Sequence, residues 1–439
     1  MRWKKRDVSP QAIRELAERF GLDLLSASVL ARRGVLSPEE VLYYLEDDLR
    51  FQRNPFLFSQ MEDAVDRILL AADEGEKVLV FGDRDADGVS ATTLMMEALA
   101  SLGVDARYRL PTEDEKYGLS RAAVDEFAAD YGSLIVTVDC GISNHAEMAY
   151  AAEKGVDVIV VDHHVLQADE PPPALAVIDP KLESSGYPFR DLSGCGVAYK
   201  LAWALRFAKS GLYKQQVALL NVRPVKDAYV IEALRLSNLV ETGRVVETIV
   251  PGMVELERTR LVPFLKDRQI FVWDGEIQKR LLAKALGKAA EVNFYDVRPD
   301  VARVIPQAAG ASLVRLAEMS KVGKYSDRPS GELDAFANLF VSFALRKAGC
   351  QGENDADALQ LVALSTIADL MPLRDENRLL VRQGLAALNR KPRKGLAELV
   401  ARQNLTGKRV GSTDAAWQLT PVINAAGRRR SSRRAYRSG

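Results

Sequence analysis

Short apolar runs and longer amphipathic stretches alternate along this chain. Residues 78–81, 134–138 and 158–161 are runs of aliphatic and β-branched residues, the pattern of strands buried on both faces of a parallel sheet. Residues 105–111 and 176–179 are further strand candidates. Residues 90–102, 122–130, 146–154 and 197–207 have helical spacing. Strand–helix–strand alternation places parallel strands side by side, with all their carboxyl ends on one edge. Residues 1–76 read as helical. Ser9-Pro10 precedes apolar Ile13, Leu16, Ala17 and Phe20, Ser37, Pro38 and Glu40 have the order of an N-cap, N1 and N3, and residues 61–72 are amphipathic. Residues 355–369 form a helix whose apolar positions are Leu359, Leu361, Val362, Leu364 and Ile367, and 377–388 form another.

The strand ends carry the chemistry. Residues 78–81 lead to Asp83, Asp85 and Asp87; 134–138 lead to Asp139; 158–161 lead to Asp162-His163-His164. Open α/β sheets bind ligands at this edge. So many carboxylates repel one another unless a cation sits among them. Oxygen donors with one or two imidazoles suit Mn²⁺ or Mg²⁺ better than a thiolate zinc site. Asp369 ends a helix, where a carboxylate opposes the dipole, and a cation would offset that too. Ser193-Gly194-Cys195-Gly196 opens a helix. Its small residues fit either close backbone approach to the cleft, with an anion at the helix N-terminus, or tight helix–sheet packing.

Composition adds limits. The chain has 439 residues, enough for two to three domains, with ordinary hydrophobic (47%) and charged (27%) fractions. Lys+Arg and Asp+Glu are 60 each, so net charge neither supports nor excludes a nucleic-acid partner. Three scattered cysteines fit a reducing compartment without a disulfide framework, and a cytoplasmic location is expected. No apolar run is long enough for a membrane span.

Gly82-Asp-Arg-Asp-Ala-Asp-Gly88, Asp139 before Cys140-Gly141-Ile142, and Asp162-His163-His164 resemble the first three motifs of the DHH phosphoesterases. Thr366-Ile-Ala-Asp-Leu-Met-Pro-Leu373 resembles the fourth. Residues 30–34, Asn54-Pro55, 61–68, 192–200 and 423–428 are similar to the RecJ single-strand exonucleases, so the resemblance covers roughly 1–207 and 353–428. It implies an α/β fold, a parallel sheet flanked by helices, interrupted by a large α/β insertion domain. The implied activity is metal-dependent hydrolysis of phosphodiester bonds in single-stranded DNA, 5′ to 3′, in DNA repair and recombination. Two ions, Mn²⁺ or Mg²⁺, would share carboxylates and lower the pKa of a water between them. By motif position the ligands are Asp85, Asp87, Asp139, His163 and Asp369, with Asp83 a ligand or next to one. His164 would contact the phosphate or assist the leaving oxygen, and Asn424 and Arg428 would reach the nucleic acid. Partners implied are single-stranded DNA and a single-strand-binding protein or helicase, with a monomer favoured. The alternatives are an oligonucleotide or cyclic-dinucleotide phosphodiesterase of the same family, or a weakly active or inactive DNA-binding scaffold.

The chain also departs from the RecJ pattern. An arginine usually follows the proline at 111, and here Thr112, Glu113 and Asp114 stand in its place. Either Arg109 or Lys116 substitutes, or this rim loop does not touch phosphate. The expected division is a helical cap (1–75), a first core part (76–207), an insertion (208–350), a second core part and linker (351–428), and a disordered basic tail (429–439). The C-terminal second domain of RecJ is expected to be missing. Strands at 228–231 and 269–273 and helices at 278–286 and 333–347 give the insertion a faint resemblance to an RNase H-like 3′–5′ exonuclease, with Asp296 and Asp334 as its acidic residues. Its opening Asp-x-Glu is not legible around 230–233, so a catalytically silent insertion is expected.

Overall fold

The computed structural model describes residues 6–112, 115–254, 256–287, 292–350 and 353–427. The chain forms two compact units. One comprises the chain up to Glu46 together with Gly211–Ala348; the other comprises Asp47–Ser210 together with the chain from Gly349 onward.

The second of these holds the motifs. Its sheet is wholly parallel, in the order β2-β1-β3-β4-β5, with β1 Lys77–Gly82, β2 Asp105–Arg109, β3 Gly132–Val138, β4 Asp157–Val161 and β5 Ala176–Ile178. Leu79 and Phe81 project to one face, where they pack with Ile135, Val158 and Val160 against Val124, Phe127 and Met148 of the Arg121–Ala129 and His145–Glu153 helices. Strand side chains alternate faces, and Val78 and Val80 are as fully buried as these. Helices Ala86–Ser101, Gly194–Ala208 and Glu353–Ala368 pack on one another. After β2 the chain crosses β1 to build β3, so the order reverses between β1 and β3. Their carboxyl ends therefore flank the crevice where such sheets bind ligands.

The helix after β1 begins at Ala86, four residues before the start read from periodicity. Asp85 is its N-cap, and its Oδ1 accepts from the amides of Asp87 (3.0 Å) and Gly88 (2.9 Å). Gly88 is not at positive φ. A Cβ there would stand 2.4 Å from the Asp83 carbonyl oxygen, so glycine supplies space rather than backbone freedom.

The other unit has a mixed sheet ordered β10-β9-β6-β7-β8. β6 (Gln216–Val225), β7 (Ala228–Ser237) and β8 (Val240–Ile249) form an antiparallel meander, and β9 (Gln269–Val272) and β10 (Tyr295–Asp296) add in parallel beside β6. Periodicity finds β7 and β9 but misses β6, the central strand. Asn221 and Arg223 stand on β6, the first near its middle and the second toward its end. Asn221 is buried, donates to Glu332 (3.3 Å) and accepts from Gln278 Nε2 (3.3 Å).

Residues 1–75, expected as one helical cap, divide between the two units at Glu46. Phe20 stacks on Tyr325 at 5.8 Å, and Glu46 accepts from Tyr325 (2.6 Å) and pairs with Lys321. These contacts hold helices Pro10–Phe20, Leu24–Arg32 and Pro38–Leu45 in the β6–β10 unit. The Ser37–Glu40 capping box forms as its spacing indicates. Residues 429–439 lie outside the described residues.

Candidate metal centre

The centre is assembled from four chain segments. β1 ends at Gly82, where a Cβ would overlap Thr92 Oγ1 at 1.9 Å; the turn that follows presents Asp83 and Asp85. Asp139 follows β3 with φ of 58°, a strained conformation for a non-glycine residue. Its amide donates to Val161 O at 2.9 Å, which fixes it against β4. His163 and His164 leave the end of β4. Asp369 follows the Glu353–Ala368 helix, and Leu370 beyond it takes a left-handed conformation.

His163 Nε2 is the hub. It lies 3.2 Å from Asp139 Oδ1, 3.6 Å from Asp369 Oδ2 and 3.7 Å from Asp87 Oδ2. Three overlapping groups each bring one donor atom per residue within 4.8 Å: Asp87, His163 and Asp369; Asp83, Asp85 and Asp139; Asp139, His163 and His164. Every residue expected as a ligand thus falls into one cleft.

The electrostatics call for a cation. Burial pushes the Asp87 carboxyl up to about 7, with Asp369 and Asp85 adding to it, although Ser365 and the Cys195 amide pull it down. Burial, then repulsion from Asp87 and Asp85, holds Asp139 well above the ordinary carboxylate range. Asp83 and Asp369 are raised as well, chiefly by burial. Burial and the neighbouring His164 push His163 down to about 3, so its imidazole is neutral and able to ligate. Asp139 Oδ1 and His163 Nε2 are buried with no hydrogen-bond donor or acceptor to satisfy them. Divalent cations answer both features, and oxygen-rich donors with imidazole fit Mn²⁺ or Mg²⁺.

Around the donors lies a scaffold that sequence reading only partly identifies. Asp87 Oδ2 accepts from the Gly194 amide (2.8 Å), and Oδ1 accepts from the Cys195 amide (2.7 Å) and Ser365 Oγ (2.6 Å). The Gly194–Ala208 helix N-terminus therefore does bind an anion, but the anion is this aspartate. A Cβ on Gly194 would stand 2.3 Å from Asp139 Oδ1, so close approach and tight packing are the same feature.

Asp162 turns away from the hub. Its Oδ2 accepts from Ile142 N (2.9 Å), and its Oδ1 accepts from His163 N (2.7 Å) and contacts His164 Nδ1 (2.7 Å). Burial raises its carboxyl, but His164 and these amides outweigh burial and hold it below its usual value. In return the Asp162 bond raises His164 against the opposing effect of burial. With Nδ1 engaged by Asp162, Nε2 is the His164 nitrogen left for a ligand. Tyr117 donates to the Asp139 carbonyl (2.9 Å), lies 3.2 Å from His164 Nδ1 and meets the His164 ring edge-on. Neither Tyr117 nor Ser365 carries a sequence signal beyond its nearness to a motif.

Asn424 accepts from the Ala86 amide at 2.7 Å, and a Cβ on Gly427 would overlap the Arg84 carbonyl oxygen at 1.8 Å. The Thr420–Gly427 helix thus braces the Asp83–Asp87 turn. Arg428, Glu113 and Asp114 lie outside the described residues. Arg109 is consumed by Glu115 (2.7 Å) and Glu126, so it does not supply a free cation at the rim; Lys116 is exposed.

Fold and centre together define the class: a parallel α/β domain that gathers carboxylates and imidazoles at its strand ends, and residues 77–222 match the DHH family, N-terminal domain. The chain carries that domain and is homologous to the RecJ proteins. It is 36% identical over 206 residues to the single-stranded-DNA-specific exonuclease RecJ of Bacillus subtilis, covering 47% of this chain and 26% of that protein. With its counterpart from Escherichia coli it shares 42% identity over 178 residues, 40% of this chain and 30% of the relative. The chain therefore spans about a third or less of either. The fold is also that of RecJ from Thermus thermophilus, solved in complex with Mn²⁺, with a TM-score of 0.56, 22% identity, and coverage of 99% of this chain and 42% of that one. Among the described residues, no helix is long and apolar enough to cross a membrane.

Proposed function

We propose that this chain is a RecJ-type nuclease domain that hydrolyses phosphodiester bonds of single-stranded DNA from the 5′ end, using two Mn²⁺ or Mg²⁺ ions. The observation that carries the reading is the hub: one neutral, buried imidazole within 3.7 Å of three carboxylates, with Asp139 Oδ1 and His163 Nε2 left without hydrogen-bond partners. Asp87, His163 and Asp369 would hold one ion, and Asp83, Asp85 and Asp139 the other. When bound, such ions polarise the phosphoryl group and lower the pKa of water.

The protein's own part is positioning and proton control. The Gly194 and Cys195 amides and Ser365 fix both oxygens of Asp87, so its carboxylate does not swing. His163 brings no charge. His164 is held by Asp162 at Nδ1 and raised by it, which leaves Nε2 for the substrate. There it donates to a non-bridging phosphate oxygen or to the departing oxygen. Tyr117 packs edge-on against the same ring, with its hydroxyl 3.2 Å from Nδ1.

The insertion contributes no second active centre in this reading. The buried core of β6 carries the Asn221–Gln278 amide pair, which binds metal poorly. Its mixed sheet supports kinship with an RNase H-like fold whose acidic set is incomplete; Asp334 is paired with Arg244 at 2.7 Å and Asp296 accepts from the Gly275 amide at 2.8 Å.

Single-stranded DNA labelled at either end, incubated with Mn²⁺, tests the reading. Early release of the 5′-terminal mononucleotide is the expected result. Cleavage of dinucleotides alone would replace it with an oligonucleotide phosphodiesterase.

A further inference from the structure

A phosphodiester entering this cleft carries a negative charge toward a ring of carboxylates. Metal ions balance part of that, and a protein cation aimed at the same place would balance more. Most basic side chains near the strand ends are already committed. Arg109 is paired with Glu115 and Glu126, Arg374 with Asp191 at 2.6 Å, and Arg84 donates to the Thr112 carbonyl at 3.1 Å.

Lys181 is different. It stands in the turn that follows β5, on the edge where β1, β3 and β4 deliver their ligands. Among the described residues its ammonium has neither a carboxylate partner nor a hydrogen bond, and the side chain is only half-buried. The turn that carries it is built rigidly. Asp179, fully buried, accepts from the Lys181 amide at 2.8 Å; Pro180 fixes the backbone between them, and Arg190 donates to the Lys181 carbonyl. Asp179 keeps its other oxygen, Oδ2, without a hydrogen-bond partner.

The turn also starts in the right place. The Asp162 amide donates to the Ile178 carbonyl at 3.1 Å, so β5 ends beside the Asp162-His163-His164 segment and residues 179–181 continue from that edge.

We infer that Lys181 is a substrate-binding residue: its ammonium contacts a non-bridging oxygen of the phosphodiester held at the metal centre. This rests on the phosphoesterase reading and extends it. Hydrogen bonds to charged groups set the scale, so loss of this contact weakens transition-state binding about ten- to a hundredfold.

The test compares the full chain with Lys181→Met, which keeps the stem and removes the charge, and Lys181→Arg, which restores it. Three quantities are measured: Mn²⁺ binding by calorimetry, binding of inorganic phosphate to the Mn²⁺-loaded chain, and turnover of bis(4-nitrophenyl) phosphate. The expected result is an unchanged Mn²⁺ isotherm, phosphate affinity and kcat/KM both lowered about ten- to a hundredfold in Lys181→Met, and recovery of most of the loss in Lys181→Arg. Wild-type phosphate affinity in Lys181→Met, or equal losses in both variants, would overturn it. Phosphate binding needs no turnover. An inactive wild type would therefore count against the phosphoesterase reading, while the phosphate isotherms still decide for or against Lys181.

Discussion

Adding one methyl group at Gly194 and another at Gly196 should have opposite consequences, although the two glycines share the Ser193-Gly-Cys-Gly196 turn. A Cβ on Gly194 would stand 2.3 Å from Asp139 Oδ1, 2.6 Å from its Cβ and 2.7 Å from its Cγ. Ordinary contact needs about 3.4 Å or more, so Asp139 would have to retreat by roughly 1 Å (the missing contact distance at full packing density). It has nowhere to go. Its backbone is at φ of 58°, its amide is bonded to Val161 and its carbonyl accepts from Tyr117. Overpacking of this kind costs about 1–3 kcal/mol. Because the displaced oxygen is the one nearest His163 Nε2, metal affinity should fall about ten- to a hundredfold, the range typical of damage to a ligand's support. A Cβ on Gly196 meets Ser193 Oγ at 3.4 Å and Leu192 at 3.5 Å, which is ordinary contact. Alanine there should be neutral or stabilising by up to about 1 kcal/mol through helix propensity. Urea unfolding in EDTA gives the stability differences, and calorimetry gives Mn²⁺ affinity. A Gly194→Ala protein with wild-type stability and Mn²⁺ binding would refute the reasoning, as would similar losses at both positions.

Three other outcomes are expected. Lys200 and Glu376 form a buried pair at 2.7 Å, with Lys200 also donating to Arg53 O (2.8 Å) and Tyr187 to Glu376; Lys200→Met should cost about 3–5 kcal/mol by stranding the carboxylate, and Glu376→Leu added to it should recover part of that in chemical denaturation. In metal-free protein Asp87 titrates near 7, above its usual 3.8, so its contribution stabilises the fold at low pH and is lost as pH rises through about 7. Melting temperatures in EDTA should therefore decline from pH 5 to 7 more steeply for the wild type than for Asp87→Asn, and Mn²⁺ binding to the wild type near pH 6 should release a proton, read from calorimetry in buffers of different ionisation enthalpy. Finally, Asp87→Asn in the full chain should remove all nuclease activity on end-labelled single strands; residual cleavage would locate a second active centre in the β6–β10 unit.

What can be read from the chain alone is whatever depends on local order. Val78–Phe81 and its two repeats are unbroken apolar runs because both faces of each strand are covered, and burial on both faces leaves that mark whatever surrounds it. The donors sit immediately after those runs, so a parallel sheet makes them converge without any knowledge of the rest. β6 escapes notice for the corresponding reason. Its ten residues end in Val222-Arg-Pro-Val225, a polar and proline-containing stretch that looks like a loop until β7 pairs with it along its full length.

Tertiary structure decided which donors serve the centre and which serve its frame. Asp162 and Asp87 look alike in sequence, each an acidic residue in a motif beyond a strand. One is turned onto the Ile142 and His163 amides and the His164 ring, and the other lies 3.7 Å from the hub with both oxygens held by a helix that begins 107 residues later. The same holds for Arg109, a free cation on paper and a doubly paired one in the fold, and for Lys181, unremarkable in sequence but in the turn that follows β5, without an ion pair among the described residues. The physical reason is common to all of them. Strand and helix periodicity follow from bonds within a few residues. A buried carboxylate's role is set by which donors and charges reach it through space, and those come from elements far away in the chain.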